Sequence, residues 1–119
     1  MGRTIPELDP SFGGMDPAEW PLVADAAYRR RASAGYIQTQ LHVRRHSDGR
    51  LLAYASIKDG DVVTPMGGTI SRPRNEAELR KLLGEAIGNL RGFRQLVEAC
   101  LRQIARLDRK GNHRLKAGA

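Results

Sequence analysis

Residues 79–107, LRKLLGEAIGNLRGFRQLVEACLRQIARL, place apolar side chains at alternating steps of three and four. With Leu83, Leu90, Val97 and Ile104 at the a position of a heptad, Leu79, Ala86, Phe93, Cys100 and Leu107 fall at d. That period calls for an α-helix with one apolar side. Gly84, Gly88 and Gly92 stand within the same stretch, away from the seam, and each weakens a helix interior by up to about 1 kcal/mol relative to Ala. The spacing therefore predicts a long amphipathic C-terminal helix, kinked or split near Gly88–Gly92, with segments over 75–91 and 93–109 if it breaks. Asn75 followed by Glu78 supplies a capping-box-like start. The apolar stripe is widened by Leu82, Ile87, Leu96 and Leu101. A stripe this wide is read as partly covering a sheet and partly packing on a second copy of the chain, with Leu83, Leu90, Phe93, Val97, Cys100 and Ile104 as the dimer interface. A purely intramolecular core helix is the competing reading.

Upstream, Asp48-Gly49 and Asp59-Gly60 each separate two β-type runs, and Asp-Gly suits a two-residue hairpin turn. Strands are predicted over 36–46, 51–57 and 62–66, with Thr69-Ile70-Ser71 as a short fourth. With both dipeptides as two-residue loops, Ile37, Leu41, Val43, Leu52, Tyr54 and Val63 share the face a helix would cover. Gln38, Gln40, His42, Arg44 and His46 share the other with Ala53, Ala55 and Thr64. Before the strands, Asp16-Pro17 with Glu19 reads as a helix start. Pro21 moves the first full turn later, and Gly35 reads as the stop. The fold class is thus α+β: an N-terminal helix, a three- to four-stranded antiparallel meander and the long C-terminal helix. One domain over 16–109 fits the length, between an arm at 1–15 and a basic tail at 110–119.

Charge sets the expected partner. Lys and Arg outnumber Asp and Glu 20 to 13, and a pI near 10.3 points to a polyanion, nucleic acid first. The candidate contacts are His42, Arg44, Arg45, His46, Arg50, Lys58, Arg72 and Arg74. Single-stranded DNA or RNA is preferred as the ligand, held mainly through its phosphates. An acidic protein groove is the alternative partner, which would make the chain an inhibitor or adaptor.

Catalytic and metal chemistry find little support. His42 and His46 on one strand lie about 13 Å apart along the backbone, too far for one zinc ion. Cys100 at a seam position reads as a small core hydrophobe. Gly67-Gly68 lacks the lysine and spacing of a phosphate-binding loop. We expect no enzyme activity, no metal and no cofactor. A lone cysteine and the lack of a signal-like or membrane-length apolar run predict a cytoplasmic protein that binds no membrane.

Two segments carry a resemblance. VRRHSDGRLLAYASIKDGD (43–61) and GGTISRPRNEAELRKLLGEAI (67–87) resemble the single-stranded-DNA-binding fold of the positive cofactor four family. That resemblance implies a curved antiparallel sheet leading through Gly68-Thr69-Ile70-Ser71 into an amphipathic helix, dimerisation, and strand binding on the sheet. The same order of strands and helix is also similar to HicB-type antitoxins, which implies toxin blocking instead.

Overall fold

The computed structural model describes residues 15–33 and 35–118, with side chains as far as Arg109. Four strands, β1 (Leu22–Ala32), β2 (Gly35–Arg45), β3 (Leu51–Asp59) and β4 (Val62–Ser71), form one antiparallel meander in the order β1-β2-β3-β4. Two helices follow, α1 (Glu76–Ile87) and α2 (Phe93–Gly118). Both lie on the same face of the sheet, α1 over β3 and β4, α2 over β1 and β2. The α+β class and the meander are as predicted, and β4 is a full strand.

The predicted N-terminal helix is not present; its residues form β1. Asp16 does cap a turn, since its carboxylate accepts from the Ala18 N–H at 2.9 Å and its carbonyl from Glu19 and Trp20. Pro21 then supplies no donor for a second turn. Beyond it Leu22–Ala32 pairs with β2 along its length, with a bulge between Leu22 and Ala24. Ala24, Ala26 and Tyr28 alternate onto the helix-covered face. Gln103 of α2 grips this edge strand by its backbone: its side-chain oxygen accepts from the Asp25 N–H at 3.0 Å and its Nε2 donates to the Asp25 carbonyl at 2.8 Å. The side-chain amide thus occupies the place a further strand would take, which blunts the edge against pairing.

The strand register also differs from expectation. At the β2–β3 turn, the His46 N–H donates to the Arg50 carbonyl and the Gly49 N–H to the His46 carbonyl. The loop therefore has three residues, Ser47, Asp48 and Gly49, not two. Gly49, at φ +97°, takes the positive-φ position that three-residue loops require. One extra loop residue reverses the face of every β3 side chain relative to β2. Leu41 pairs with Ala55, Val43 with Ala53, His42 with Tyr54 and Arg44 with Leu52. The second loop is Gly60-Asp61, flanked by the Asp59–Val62 pair, and a register shift follows at Ala55/Ser56.

Leu41, Val43, Leu51, Ala53 and Ala55 consequently form the floor of the main core. Leu82, Leu83, Ala86 and Ile87 of α1 and Leu96, Val97, Cys100, Leu101 and Ile104 of α2 close it. Leu52 and Tyr54 belong instead to a small cluster with Trp20 on the opposite face, left open by the two helices. Of the six residues assigned to a dimer seam, Leu83, Val97, Cys100 and Ile104 are buried in the core of this one chain. Leu90 is half-buried against the same core, and Phe93 is exposed. Packing within the chain accounts for the heptad pattern except at Phe93 and Leu107, which are exposed.

The helical segment does break where the glycines stand. Asn75 caps α1 by accepting from the Glu78 N–H at 2.9 Å. The Glu78 carboxylate accepts from the Arg74 N–H at 2.8 Å, one residue earlier than a capping box would use. Glu76 and Glu78 in the first turn also favour the helix dipole. Gly88 ends α1, its N–H donating to Gly84. Gly92 has φ +77°, and a methyl group there would enter the Tyr28 ring of β1. The break therefore lets α2 swing onto β1 at a point where only a bare backbone fits. Downstream, α2 continues to Gly118, beyond the predicted end at 109. The predicted arm lies outside the described residues except for Met15, which packs on the Trp20 cluster. Among the described residues no helix is long and apolar enough to cross a membrane.

Candidate nucleic-acid interface

The open face of the sheet has three zones, set by strand alternation. Nearest the β2–β3 turn lies a knot of matched groups. Arg44 reaches from β2 to the Tyr54 hydroxyl at 2.9 Å and the Trp20 carbonyl at 3.0 Å. Arg50 stacks over the Trp20 ring and donates to Asp48 at 2.8 Å. Asp48 also lies 3.2 Å from His46 and 3.7 Å from Arg72. The hydrogen bond from the Arg50 backbone, and after it the one from the Arg50 guanidinium, hold the Asp48 carboxyl below the usual range against a smaller opposing effect of burial.

The middle zone is a chain of polar side chains across three strands. Asp25 Oδ1 lies 3.2 Å from His42 Nδ1, and His42 Nε2 lies 3.2 Å from the Ser56 hydroxyl. Ser56 in turn donates to Gln40 Oε1 at 3.2 Å. The His42 ring stacks on Tyr54 with centroids 4.7 Å apart. The hydrogen bond from His42 is the main cause that lowers the Asp25 carboxyl pKa, against a smaller opposing effect of burial. The order acid, imidazole, hydroxyl is that of a hydrolase relay. Ser56, however, has no exposed surface, so no substrate carbonyl can reach it. The chain serves to satisfy buried polar groups.

The far zone, toward the β1–β2 and β3–β4 turns, is different in kind. Pairing places Arg29 opposite Gln38, Arg31 opposite Tyr36 and Gln38 opposite Lys58, all on the open face. Arg29, Arg31 and Lys58 are exposed, and Tyr36 is 53% exposed. The Arg29 guanidinium sits 5.4 Å above the Tyr36 ring and is steadied by Gln38 Oε1 at 3.4 Å. Among the described residues no carboxylate lies within ion-pair distance of Arg29, Arg31 or Lys58.

Of the eight candidate contacts, only Lys58 belongs to this unpaired zone. His42 is buried in the polar chain, and Arg44 is fixed to neutral acceptors. Arg45 points to the helix side and pairs with Asp108 at 3.0 Å. His46, Arg50 and Arg72 gather round Asp48, and Arg74 pairs with Glu78. Arg29, Arg31 and Tyr36 complete the zone. The first two were obscured by reading 29–31 as the end of a helix. The signal for them was the strand alternation of 22–32 itself, which puts Arg29 and Arg31 on one face and Arg30 on the other.

A cleft of about 540 Å³ opens on the helix side between the start of α1, the β2–β3 turn and α2. Leu79, Leu101 and Ile104 floor it, while Arg45, Asp108 and Glu76 stand at its rim. Its charges are mixed, and Arg45 and Asp108 are paired across it. Among the described residues no group of His, Cys, Asp and Glu has a metal-binding arrangement. Burial pushes the Cys100 thiol up to about 12, so it stays protonated at neutral pH. No family model, curated protein or solved structure matches this chain.

Proposed function

We propose that this protein is a non-enzymatic nucleic-acid-binding protein that lays a single strand across the far zone of its open sheet face. The observation that carries the reading is the set of exposed cations around an exposed aromatic ring, with no carboxylate within ion-pair distance of them among the described residues. Arg31 and Lys58 are placed to meet phosphates, and Tyr36, flanked by Arg29, offers a face on which one base stacks. A sheet zone bearing a single exposed ring reads little sequence, so recognition is of backbone and strandedness. The resemblance to the positive cofactor four family belongs to this reading and supports the choice of single strands.

The test is fluorescence anisotropy with labelled single strands and duplexes over a salt series. For single strands, log Kobs falls with log salt by roughly 0.7 per phosphate neutralised. The triple variant Arg29→Gln, Arg31→Gln, Lys58→Gln is expected to lower that slope by about 1.4 units, for the two phosphates met by Arg31 and Lys58. An unchanged slope rejects this face as the site. Absence of binding by the wild-type chain at low salt rejects nucleic acid, and the same cations then become candidates for an acidic protein surface.

A further inference from the structure

A second basic surface lies on the other side of the molecule. The inner side of α2 is marked by buried Leu96, Val97, Cys100, Leu101 and Ile104. At 100° per residue, the arc turned directly away from them carries Gln95, Arg102, Arg106 and Arg109. All four are exposed. The acidic residue beside this arc, Glu98, is engaged by Arg80 of α1. Among the described residues, none of the three arginines has an ion-pair partner. At about 1.5 Å per residue the ridge from Arg102 to Arg109 is roughly 10 Å long. Because α2 packs on the face opposite the far zone, one extended strand cannot touch both surfaces without wrapping round an edge.

We propose that this ridge is a second nucleic-acid surface, so that one chain holds two strands, one on the sheet and one on α2, and ties them together. The inference rests on the single-strand reading of the sheet. It adds an activity that the sheet alone does not supply: bridging of separate strands, or of distant parts of one strand. Recognition on the ridge is through phosphates alone, since its outer arc carries no aromatic ring.

The experiment uses the full chain and an oligodeoxynucleotide of about six nucleotides, near the low end of single-strand site sizes. Native mass spectrometry counts oligonucleotides per chain, and energy transfer between donor- and acceptor-labelled copies reports bridging. Two variants are compared, Arg102→Gln/Arg106→Gln/Arg109→Gln and Arg29→Gln/Arg31→Gln/Lys58→Gln. Gln and Arg have similar helix propensity, so the first variant keeps α2 intact, and circular dichroism verifies that. The wild-type chain is expected to bind two copies and give energy transfer. Each variant is expected to bind one copy and give none. A ridge variant that still binds two copies, or still bridges, overturns the inference. One copy per wild-type chain, weakened only by the sheet variant, also overturns it while leaving the proposed function standing. One copy weakened only by the ridge variant overturns the sheet reading as well.

Discussion

The two ends of the open sheet face carry the same kinds of side chain and use them in opposite ways. Near the β2–β3 turn, Arg44, Arg50 and His46 surround buried Trp20 and Tyr54, and each has an acceptor or a ring to match it. Toward the far turns, Arg29, Arg31 and Lys58 surround exposed Tyr36 with no carboxylate partner among the described residues. A cation whose partners are internal contributes to the fold and has little left for a ligand. A cation left in water keeps its charge available at the cost of some self-repulsion. The contrast separates structural from functional charge better than net charge does, and it makes predictions of graded size.

Tyr54→Ala should have the largest effect. The ring is fully buried on the face that the helices leave uncovered and supports both Leu52 and the His42 ring. Truncating a buried aromatic residue costs about 3–5 kcal/mol, read as a fall in the urea midpoint with an unchanged slope. A loss under about 1 kcal/mol would mean that the near end is not a core, and the contrast would collapse.

Arg44→Gln comes next. It removes charged hydrogen bonds to the Tyr54 hydroxyl and the Trp20 carbonyl, and bonds of that kind contribute about 1.5–3 kcal/mol. Denaturant melts should show this loss, whereas the salt slope of strand binding should stay the same. A changed slope with unchanged stability would move Arg44 into the binding set.

Between the two ends, Asp25 and His42 predict a pH response of definite sign. The Asp25 carboxyl is held below its ordinary value of 3.8, chiefly by the hydrogen bond from His42. A depressed folded pKa gives stability that is fully present above the unfolded value and is lost as pH falls through the folded one. Acid titration of the wild-type protein should therefore show extra destabilisation below about pH 4 that Asp25→Asn lacks. Asp25 is half-exposed, so water screens the pair and the difference is modest. Identical acid profiles would show that the Asp25–His42 contact contributes no linkage.

How much of this was legible beforehand depends on the length scale of the signal. The helical stripe spans many turns, so its helical character and an interruption near Gly88–Gly92 could be read directly, whereas what it packs on could not: Leu83, Val97, Cys100 and Ile104, assigned to a dimer seam, lie in the core of one chain. The two Asp-Gly pairs located both turns, because the demand for a positive φ is local. They did not give the length of the first loop or the exact place of the second, and one residue more at Ser47–Gly49 moved Leu52 and Tyr54 to the open face. Residues 22–32 satisfy both a helical and an alternating pattern, and what decides between them is pairing with β2, which no local window contains. Arg29 and Arg31 were hidden by that ambiguity. The Asp25–His42–Ser56 chain was hidden as well, because it joins three strands whose register was set by the turns.

The smallest effect on stability should come from Tyr36→Ala, and it sharpens the contrast most. Tyr36 is exposed and lies beneath the Arg29 guanidinium in open solvent. Surface substitutions of this kind change stability by within about 0.5 kcal/mol, so the melt should overlay the wild type. Base stacking on an aromatic ring is worth about 1–3 kcal/mol by alanine substitution, or roughly 5- to 150-fold in Kd. Single-strand affinity should fall by that factor, with the salt slope unchanged because no phosphate contact is lost. Tyr54→Ala and Tyr36→Ala, two tyrosines on one face, would then divide cleanly into one that holds the sheet and one that holds the strand. An equal loss of stability in both would show that exposure and charge pairing do not distinguish the two ends, and the far zone would have no claim to be the binding site.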